Sequence, residues 1–248
     1  MISKDKITEI ITELKDQEKK WTSSPEAQAI YKQYHRYRFE KTLALCKKCC
    51  PNQEALVLDV GRSEFTSRLK SFFKNTYSMG FEILEDDGGH REGEGLKDIK
   101  HIVFDLNESD QPQKYPDYEN TFDLIVLGET IEHLHIAAEY SLLLFKYLLK
   151  PGGKLLVTTP NAVTLKNRIK LLLGKNPYEK IRYYSKNPGH FREYTIKEIR
   201  MMALDVKFKI VDCYTINFYN KTGFKSILTA PLFWHPNFKD SLVAIFQK

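Results

Sequence analysis

The chain has 248 residues, 42% of them hydrophobic and 28% charged, and a formal net charge of +6 at pH 7. These fractions are those of a soluble globular protein with one large domain or two small ones. No apolar run approaches the roughly 18 residues that span a bilayer, and the N-terminus lacks the apolar core of a signal peptide, so we expect a cytoplasmic protein. The modest positive charge permits an anionic substrate or a membrane surface as a partner but requires neither.

Two helices are predicted before residue 50, and we assign residues 1–50 to an N-terminal helical extension. Apolar residues at helical spacing mark a first helix over residues 4–20, and a second helix starts at a cap, Ser24, and stops at Pro51. The second helix contains YKQYHRYRF, which interleaves aromatic and basic residues. Either the aromatics pack inward with the bases in solvent, or the helix forms a nucleic-acid surface or a lid over a ligand cleft.

Four cysteines do not suggest a disulfide framework in a chain of this size. Cys46, Cys49 and Cys50 have half of a zinc-binding spacing, but no second CxxC or HxxxH follows. We therefore predict reduced thiols at the end of the second helix and no metal.

A strand, a glycine turn and a helix start follow one another after Pro51. Residues 55–58 are a continuous apolar run, typical of a strand in the middle of a parallel sheet. Asp59 ends the run, Gly61 opens a tight turn, and Ser63 can cap the next helix. This arrangement aims backbone N–H groups and the positive end of the helix at a ligand beyond the carboxyl edge of the sheet.

Two more acidic residues are expected at the same edge. Residues 77–81 are predicted to form a second strand, and Glu82 follows it, 21 positions after Gly61. An acidic residue about 20 positions past such a turn can bind a ribose diol. A third apolar run, residues 101–104, ends at Asp105. Three strands that each end in a carboxylate predict a nucleoside-shaped site.

Strands and helices continue to alternate, so the core is predicted to be a parallel sheet with right-handed crossovers. Residues 122–127 are a fourth buried strand, residues 136–150 a helix and residues 154–158 a fifth strand. A final strand pair is predicted over residues 208–218 and 242–246.

Two segments interrupt this alternation and are predicted to cover the substrate site. Residues 162–189 contain a short basic amphipathic helix, with seven Lys or Arg and one acidic residue. Residues 220–238 include an apolar cluster at residues 227–235. The first segment is either a solvated insertion or a cover that attracts anionic groups or touches a membrane surface.

From about residue 54 to the end, the chain resembles the class I S-adenosylmethionine-dependent methyltransferases. The motifs that carry the resemblance are VLDVG, GFE, the FD after the third strand, FDLIVLGETIEHL, LLKPGGKLLVTTPN and GHFREYT. They are similar to the branch of ubiquinone-biosynthesis O-methyltransferases and many natural-product and saccharide methyltransferases. The resemblance implies an α/β, Rossmann-like, seven-stranded mixed sheet flanked by helices over residues 51–248, with one antiparallel edge strand and a helical insertion after strand five.

The resemblance also implies S-adenosylmethionine as the cofactor. By position, Asp59, Gly61 and Ser63 belong to the loop under the methionine end of this cofactor. The usual loop is D-x-G-x-G-x-G, and this chain has Ser63 at the second glycine position and Phe65 at the third. A phenylalanine narrows the space that glycine leaves, so either the loop takes another path or cofactor binding is weaker.

The remaining cofactor contacts that the resemblance implies lie at the ends of later strands. Glu82 would hold the ribose hydroxyls, and Asp105 and Leu106 would face the adenine. Gly128 and Glu129 would lie beside the sulfonium.

An alcohol or phenol acceptor needs a base near neutral pKa, and histidine is the usual choice. His133 and His190 are the candidates, with Glu129 beside them, although both histidines can instead be packing or capping residues. We expect O-methylation of a small-molecule, saccharide or lipid-linked acceptor. We expect no nucleic-acid partner, and residues 162–189 leave a peripheral membrane contact open.

Two alternatives stay open. Glu129, Glu132 and His133 are spaced to share a helix face, and His190 would complete a site of two carboxylates and two histidines suited to Mn or Mg. This set resembles the metal site of small-RNA 3′-end 2′-O-methyltransferases, but the same run occurs in branches that need no metal, and we expect none. The other alternative, motivated by Phe65, is a non-catalytic scaffold with a degenerate pocket.

Overall fold

The structure is a computed structural model and describes residues 3–22, 25–82, 96–182, 189–219 and 238–248. Its helices are α1 (Lys4–Thr22), α2 (Pro25–Cys49), α3 (Glu64–Lys70), α4 (Ala138–Leu148), α5 (Leu165–Leu172) and α6 (Ile196–Asp205). Its strands are β1 (Leu56–Val60), β2 (Asn75–Gly80), β3 (Lys100–Val103), β4 (Phe122–Gly128), β5 (Leu149–Pro160), β6 (Lys209–Ile216) and β7 (Ser241–Gln247). Within these ranges, no helix is both long and apolar enough to cross a membrane.

The seven described strands form one sheet in the order β3-β2-β1-β4-β5-β7-β6. Neighbours from β3 to β5 are parallel, while β7 is antiparallel to both β5 and β6. The predicted mixed seven-stranded sheet is confirmed, but the predicted place of the antiparallel strand at the edge is wrong. β7 is buried along almost its whole length and suits an interior position, whereas β6 exposes several residues and forms the edge.

Alternate residues of the central strands face two apolar layers. Leu58, Ile125 and Leu155 belong to the layer that includes residues of α4 and α6. Val57, Leu124 and Leu156 belong to the layer that includes residues of α2 and α3. Because successive side chains of a strand point to opposite faces, a strand covered on both sides has a continuous apolar sequence.

Two element bounds differ from the prediction in ways that matter. Asp59 lies inside β1, where it pairs with Ser78 of β2 and Val126 of β4, rather than after the strand. β5 begins at Leu149, which pairs with Phe122 across a shift in register. This early pairing makes the PGG run part of the strand and ends the preceding helix at Leu148.

The second predicted helix is an integral part of the core. Phe39 and Cys46 of α2 are buried in the same layer as α3, and all four cysteines are free. The predicted cap, Ser24, lies outside the described residues, as do residues 183–188 and 220–237 of the two predicted covers. The lid role of residues 1–50 stays a prediction.

Candidate active site

The strand order reverses between β1 and β4, because the chain runs from β1 outward to β3 and then returns to the other side of β1. In parallel α/β sheets, ligands bind in the crevice that such a reversal opens at the carboxyl ends of the strands. Asp59 and Gly61 come from the end of β1, Gly128 ends β4 and Glu129 follows it. The fold therefore brings these four predicted residues to one crevice.

A single glycine shapes the turn after β1. Gly61 has a φ of +118°, and its N–H donates to the carbonyl of Met79 at 2.7 Å. A Cβ at Gly61 would meet nothing within 4 Å, so it is the backbone angle that favours glycine. Ser63 caps α3 by accepting from the N–H of Phe65, and its own N–H donates to Oγ1 of Thr66 at 2.9 Å. Hydrogen bonds thus close the loop where the usual motif has further glycines.

Phe65 packs into the core. Its ring is buried against that of Phe39 from α2, with the centroids 5.6 Å apart. Both rings belong to the apolar layer between the sheet and these two helices. Since core packing explains the bulk of Phe65, this residue no longer argues for a non-catalytic scaffold.

Asp59 is almost fully buried beside the crevice. One carboxylate oxygen accepts a hydrogen bond from Oγ1 of Thr66 at 2.6 Å. Burial raises the pKa of Asp59 to about 7, and the hydrogen bond from Thr66 and the charge of Arg38 offset this effect only in part. Near neutral pH the carboxyl group is therefore poised to ionise when a cation approaches.

Arg38 is a site residue that the sequence did not single out. Its Nη1 lies 3.4 Å from Oε2 of Glu129, and both side chains are about nine-tenths buried. Glu129 has a left-handed φ of +51°, and its Oε1 has no hydrogen-bond partner among the described residues. Burial raises the pKa of Glu129, and Arg38 acts in the opposite direction. The sequence does not separate Arg38 from Arg36, because both lie in the same basic-aromatic stretch. In the structure Arg38 is buried and Arg36 is exposed.

Arg62 is a second residue that sequence reasoning missed. It is 3% exposed and donates to the carbonyls of Leu96 and Ile99 at 2.7 and 3.1 Å and to Oγ of Ser78 at 3.2 Å. These bonds connect the turn after β1 with β2 and with the residues before β3. No feature of its sequence context marks this arginine as buried.

The residues predicted to contact the ribose and adenine lie after β2 and β3. Glu82 is exposed, and Leu106 is buried in the core. Asp105 accepts hydrogen bonds from the backbone and side-chain N–H groups of Asn107 at 2.9 and 3.0 Å, and Oδ1 of Asn107 accepts from the N–H of His135. This network connects the end of β3 with the segment after β4. The contacts of these residues with a cofactor stay predictions.

Glu132, His133 and His190 form a compact cluster after β4. One ligand atom from each of the three lies within 4.8 Å of the others, and the two imidazole centroids are 4.9 Å apart. The carbonyl of Glu132 accepts hydrogen bonds from the N–H groups of Phe191 and Arg192, at 2.8 and 3.2 Å. These backbone bonds bring His190, far away in sequence, next to His133.

The predicted common helix face of Glu129, Glu132 and His133 is wrong. Residues 131–133 form a 3-10 turn, and Glu129 precedes it with a left-handed backbone angle. The turn brings Glu132 and His133 to His190, whereas Glu129 pairs with Arg38 instead.

The hydrogen bonds of the two histidines define their free nitrogens. Nδ1 of His133 lies 2.7 Å from the carbonyl of Gly189, and Nδ1 of His190 lies 3.1 Å from Oε1 of Glu193. In each neutral ring, Nδ1 is therefore the donor and Nε2 keeps its lone pair. Both Nε2 atoms lie 3.9 Å from Oε1 of Glu132, which has no hydrogen-bond partner among the described residues. This donor set can hold a proton or a divalent cation.

The pKa values of the three residues in the cluster shift in different directions. Burial and the neighbouring charge of Glu129 raise the pKa of Glu132. Burial lowers the pKa of His133. Burial also opposes protonation of His190, but nearby carboxylates, led by its hydrogen-bond partner Glu193, outweigh this effect and raise its pKa. His190 is therefore the stronger base of the pair.

A family model described as a methyltransferase domain matches residues 33–212, well over half of the chain. The chain belongs to the methyltransferase-domain family. The match begins inside α2, so the family's domain includes the part of this helix that carries Arg38 and Phe39. Among curated proteins, none matches this methyltransferase.

Solved structures show that its fold is the one shared by S-adenosylmethionine-dependent methyltransferases. An Archaeoglobus fulgidus SAM-dependent methyltransferase superposes with a TM-score of 0.55 at 16% identity, over 89% of this chain and 99% of that one. The N-methyltransferase NodS from Bradyrhizobium japonicum, solved with S-adenosylhomocysteine, gives 0.57 at 14% identity, over 95% and 98%. A Burkholderia thailandensis 1,6-didemethyltoxoflavin-N1-methyltransferase gives 0.55 at 16%, over 91% of each chain.

Proposed function

We propose that this methyltransferase transfers a methyl group from S-adenosylmethionine to an oxygen atom of a small-molecule, saccharide or lipid-linked acceptor. When bound, the cofactor supplies an electrophilic methyl group. The chain itself must hold the cofactor, align the acceptor oxygen, take up its proton and exclude water.

The charges at the crevice fit the methionine end of the cofactor, which carries a carboxylate and an ammonium group. The buried cation of Arg38 can pair with the carboxylate, and the carboxyl groups of Asp59 and Glu129 can pair with the ammonium. The buried Oε1 of Glu129, which lacks a partner among the described residues, is a ready acceptor. The predicted roles of Glu82 toward the ribose and Asp105 toward the adenine complete this assignment.

The histidine pair is the observation that supports oxygen, rather than nitrogen, as the acceptor atom. An alcohol must lose its proton as it attacks, whereas a neutral amine can attack before losing one. Nε2 of His190 is unprotonated in the neutral ring and lies beside a buried carboxyl group on the segment that follows β4. In this proposal His190 takes the proton of the acceptor. His133 positions the imidazole of His190 through the contact between the two rings.

The test is a transfer assay on a panel of sugars, phenols and amines, with His190→Gln as the variant. We expect methyl ethers as products and a loss of kcat of about 10²-fold or more in the variant, the usual contribution of a general base. Affinity for S-adenosylhomocysteine should stay unchanged. His135→Gln is the matched control, because His135 is exposed on the same segment. Products methylated only on nitrogen, or a fully active His190→Gln enzyme, would contradict the proposal.

A second candidate is a metal-dependent O-methyltransferase, including one that acts on the 3′-terminal ribose of a small RNA. It is favoured by one observation, the two Nε2 atoms that face the unpartnered Oε1 of Glu132 while each Nδ1 is held by a hydrogen bond. Such second-layer bonds are typical of metal-binding histidines. Loss of activity on chelation with recovery on addition of Mn²⁺ would favour this candidate, and activity unchanged by a chelator would exclude it.

A further inference from the structure

Helix α5 ends in an exposed apolar tip, residues 169–173. Leu171, Leu172 and Leu173 are 57%, 86% and 64% exposed, and Ile169 is 48% exposed. Successive residues of a helix are about 100° apart, so three consecutive exposed leucines face most directions around the axis. A protein partner with a flat surface covers one face of a helix, whereas an interfacial lipid layer can surround a protruding end. The exposure therefore favours a membrane surface over a protein partner.

Local hydrogen bonds close the tip. Gly174 has a φ of +67°, and its N–H donates to the carbonyl of Leu171 at 2.9 Å. The N–H of Lys175 donates to the carbonyl of Lys170 at 2.8 Å, which completes a Schellman motif. Thr164 caps the other end of the helix. The leucines are thus presented on a closed helix end.

Positive charge surrounds the tip. Residues 162–182 contain six Lys or Arg and one acidic residue, Glu179, which is paired with Arg182 at 2.6 Å. Lys166, Arg168 and Lys175 are exposed close to the apolar residues. Apolar side chains that can enter the interface, with basic side chains at the level of the headgroups, are typical of interfacial helices that bind anionic lipids.

The helix starts at the same edge of the sheet as the histidine cluster. The N–H of Ala162 donates to the carbonyl of Tyr194 at 3.0 Å, four residues after His190. We infer that residues 165–175 dock this methyltransferase on an anionic lipid surface, with the tip in the interface. Taken together with the proposed function, this contact brings a lipid-linked acceptor to the cluster; the docking itself does not depend on that function.

The experiment is co-sedimentation of the full chain with phosphatidylcholine vesicles, with and without phosphatidylglycerol. We expect binding to the vesicles that contain phosphatidylglycerol and weaker binding as salt is raised, because salt screens the basic residues. Leu172→Glu should lower the partition coefficient about tenfold or more, since it puts a charge in place of an apolar side chain that enters the lipid interface. Leu204→Glu is the matched control, because Leu204 of α6 is 58% exposed on another surface.

Three results would overturn the inference. They are no binding of the wild-type chain to anionic vesicles, equal losses in Leu172→Glu and Leu204→Glu, and a protein dimer in sedimentation that depends on Leu172 without vesicle binding. Transfer to a soluble acceptor, measured without vesicles, should be the same for Leu172→Glu and wild type. That assay keeps failure of the docking distinguishable from failure of the proposed function.

Discussion

The pKa of His190 is the residue-scale property most closely connected with the proposed chemistry. Carboxylates outweigh the effect of burial and raise it above the ordinary value of 6.5. In the proposed reaction, the unprotonated ring is the active form. The acid limb of the kcat/KM profile should therefore lie above pH 6.5. Glu193→Gln should move this limb to lower pH by about half a unit to one unit, because it removes the hydrogen-bonded carboxylate. An acid limb at the same pH in this variant would show that His190 is not the base.

Asp59 should make the stability of the fold depend on pH. Its pKa is about 7 in the folded chain, against about 3.9 when unfolded. Between these values the folded chain binds the additional proton, so the contribution of Asp59 to stability grows as the pH falls from 7 toward 4 and is smallest above 7.

Asp59→Asn removes this dependence. Relative to wild type, the variant should be more stable at pH 8 than at pH 5.5 by about 2 kcal/mol, measured by urea unfolding. Asp98→Asn, in an exposed turn, is the control and should leave the pH dependence unchanged. Parallel pH profiles for wild type and Asp59→Asn would show that Asp59 ionises normally in the folded chain.

At the scale of elements, the turn between β1 and α3 depends on Gly61. Gly61→Ala should cost about 1–2 kcal/mol of stability, because alanine is strained at this positive φ. Its methyl group would also enter the open space of the crevice, so affinity for S-adenosylhomocysteine should fall. Gly174→Ala, at the end of α5, has a positive φ and open space as well and should lose stability only. Equal cofactor affinity in both variants would place the cofactor elsewhere.

Phe65 contributes to the packing of α2 on α3, and a variant can test whether its ring packs in the core or obstructs the crevice. Phe65→Gly should destabilise the fold by about 3–5 kcal/mol, because it leaves a cavity beside Phe39. It should not tighten the binding of S-adenosylhomocysteine, although it restores a glycine of the usual loop. Tighter binding, measured by calorimetry, would show that the ring obstructs the crevice.

The elements that the sequence predicted well are those whose signal is local. Buried strands of a parallel sheet have continuous apolar sequences, and this pattern predicts β1, β3, β4 and the later part of β5. The start of β5 was missed because Leu149 pairs with Phe122 across a register shift, and a PGG run ordinarily indicates a turn. The spacing of Glu129, Glu132 and His133 predicted a helix, but a 3-10 turn forms there instead.

At the scale of the whole molecule, the sequence predicts which strand-end residues meet at the carboxyl edge of the sheet. It does not predict which charged side chains pair there. Asp59, Gly61 and Gly128 meet because parallel strands end at one edge. The sequence does not mark Arg38 and Arg62, because distant elements bury them. Burial places Arg38 beside Glu129 and Arg62 against the residues before β3. The meeting of His133 with His190 likewise depends on backbone hydrogen bonds between segments far apart in the chain.

The central claim is that this chain binds S-adenosylmethionine at the β1–β4 crevice, and calorimetric titration with S-adenosylhomocysteine tests it most directly. We expect one site with an affinity on the order of micromolar, unaffected by a chelator, and at least about tenfold weaker binding in Arg38→Met. Arg36→Met, two residues away and exposed, should bind like wild type. No binding by the folded wild-type chain, or equal affinity in Arg38→Met, would contradict the claim.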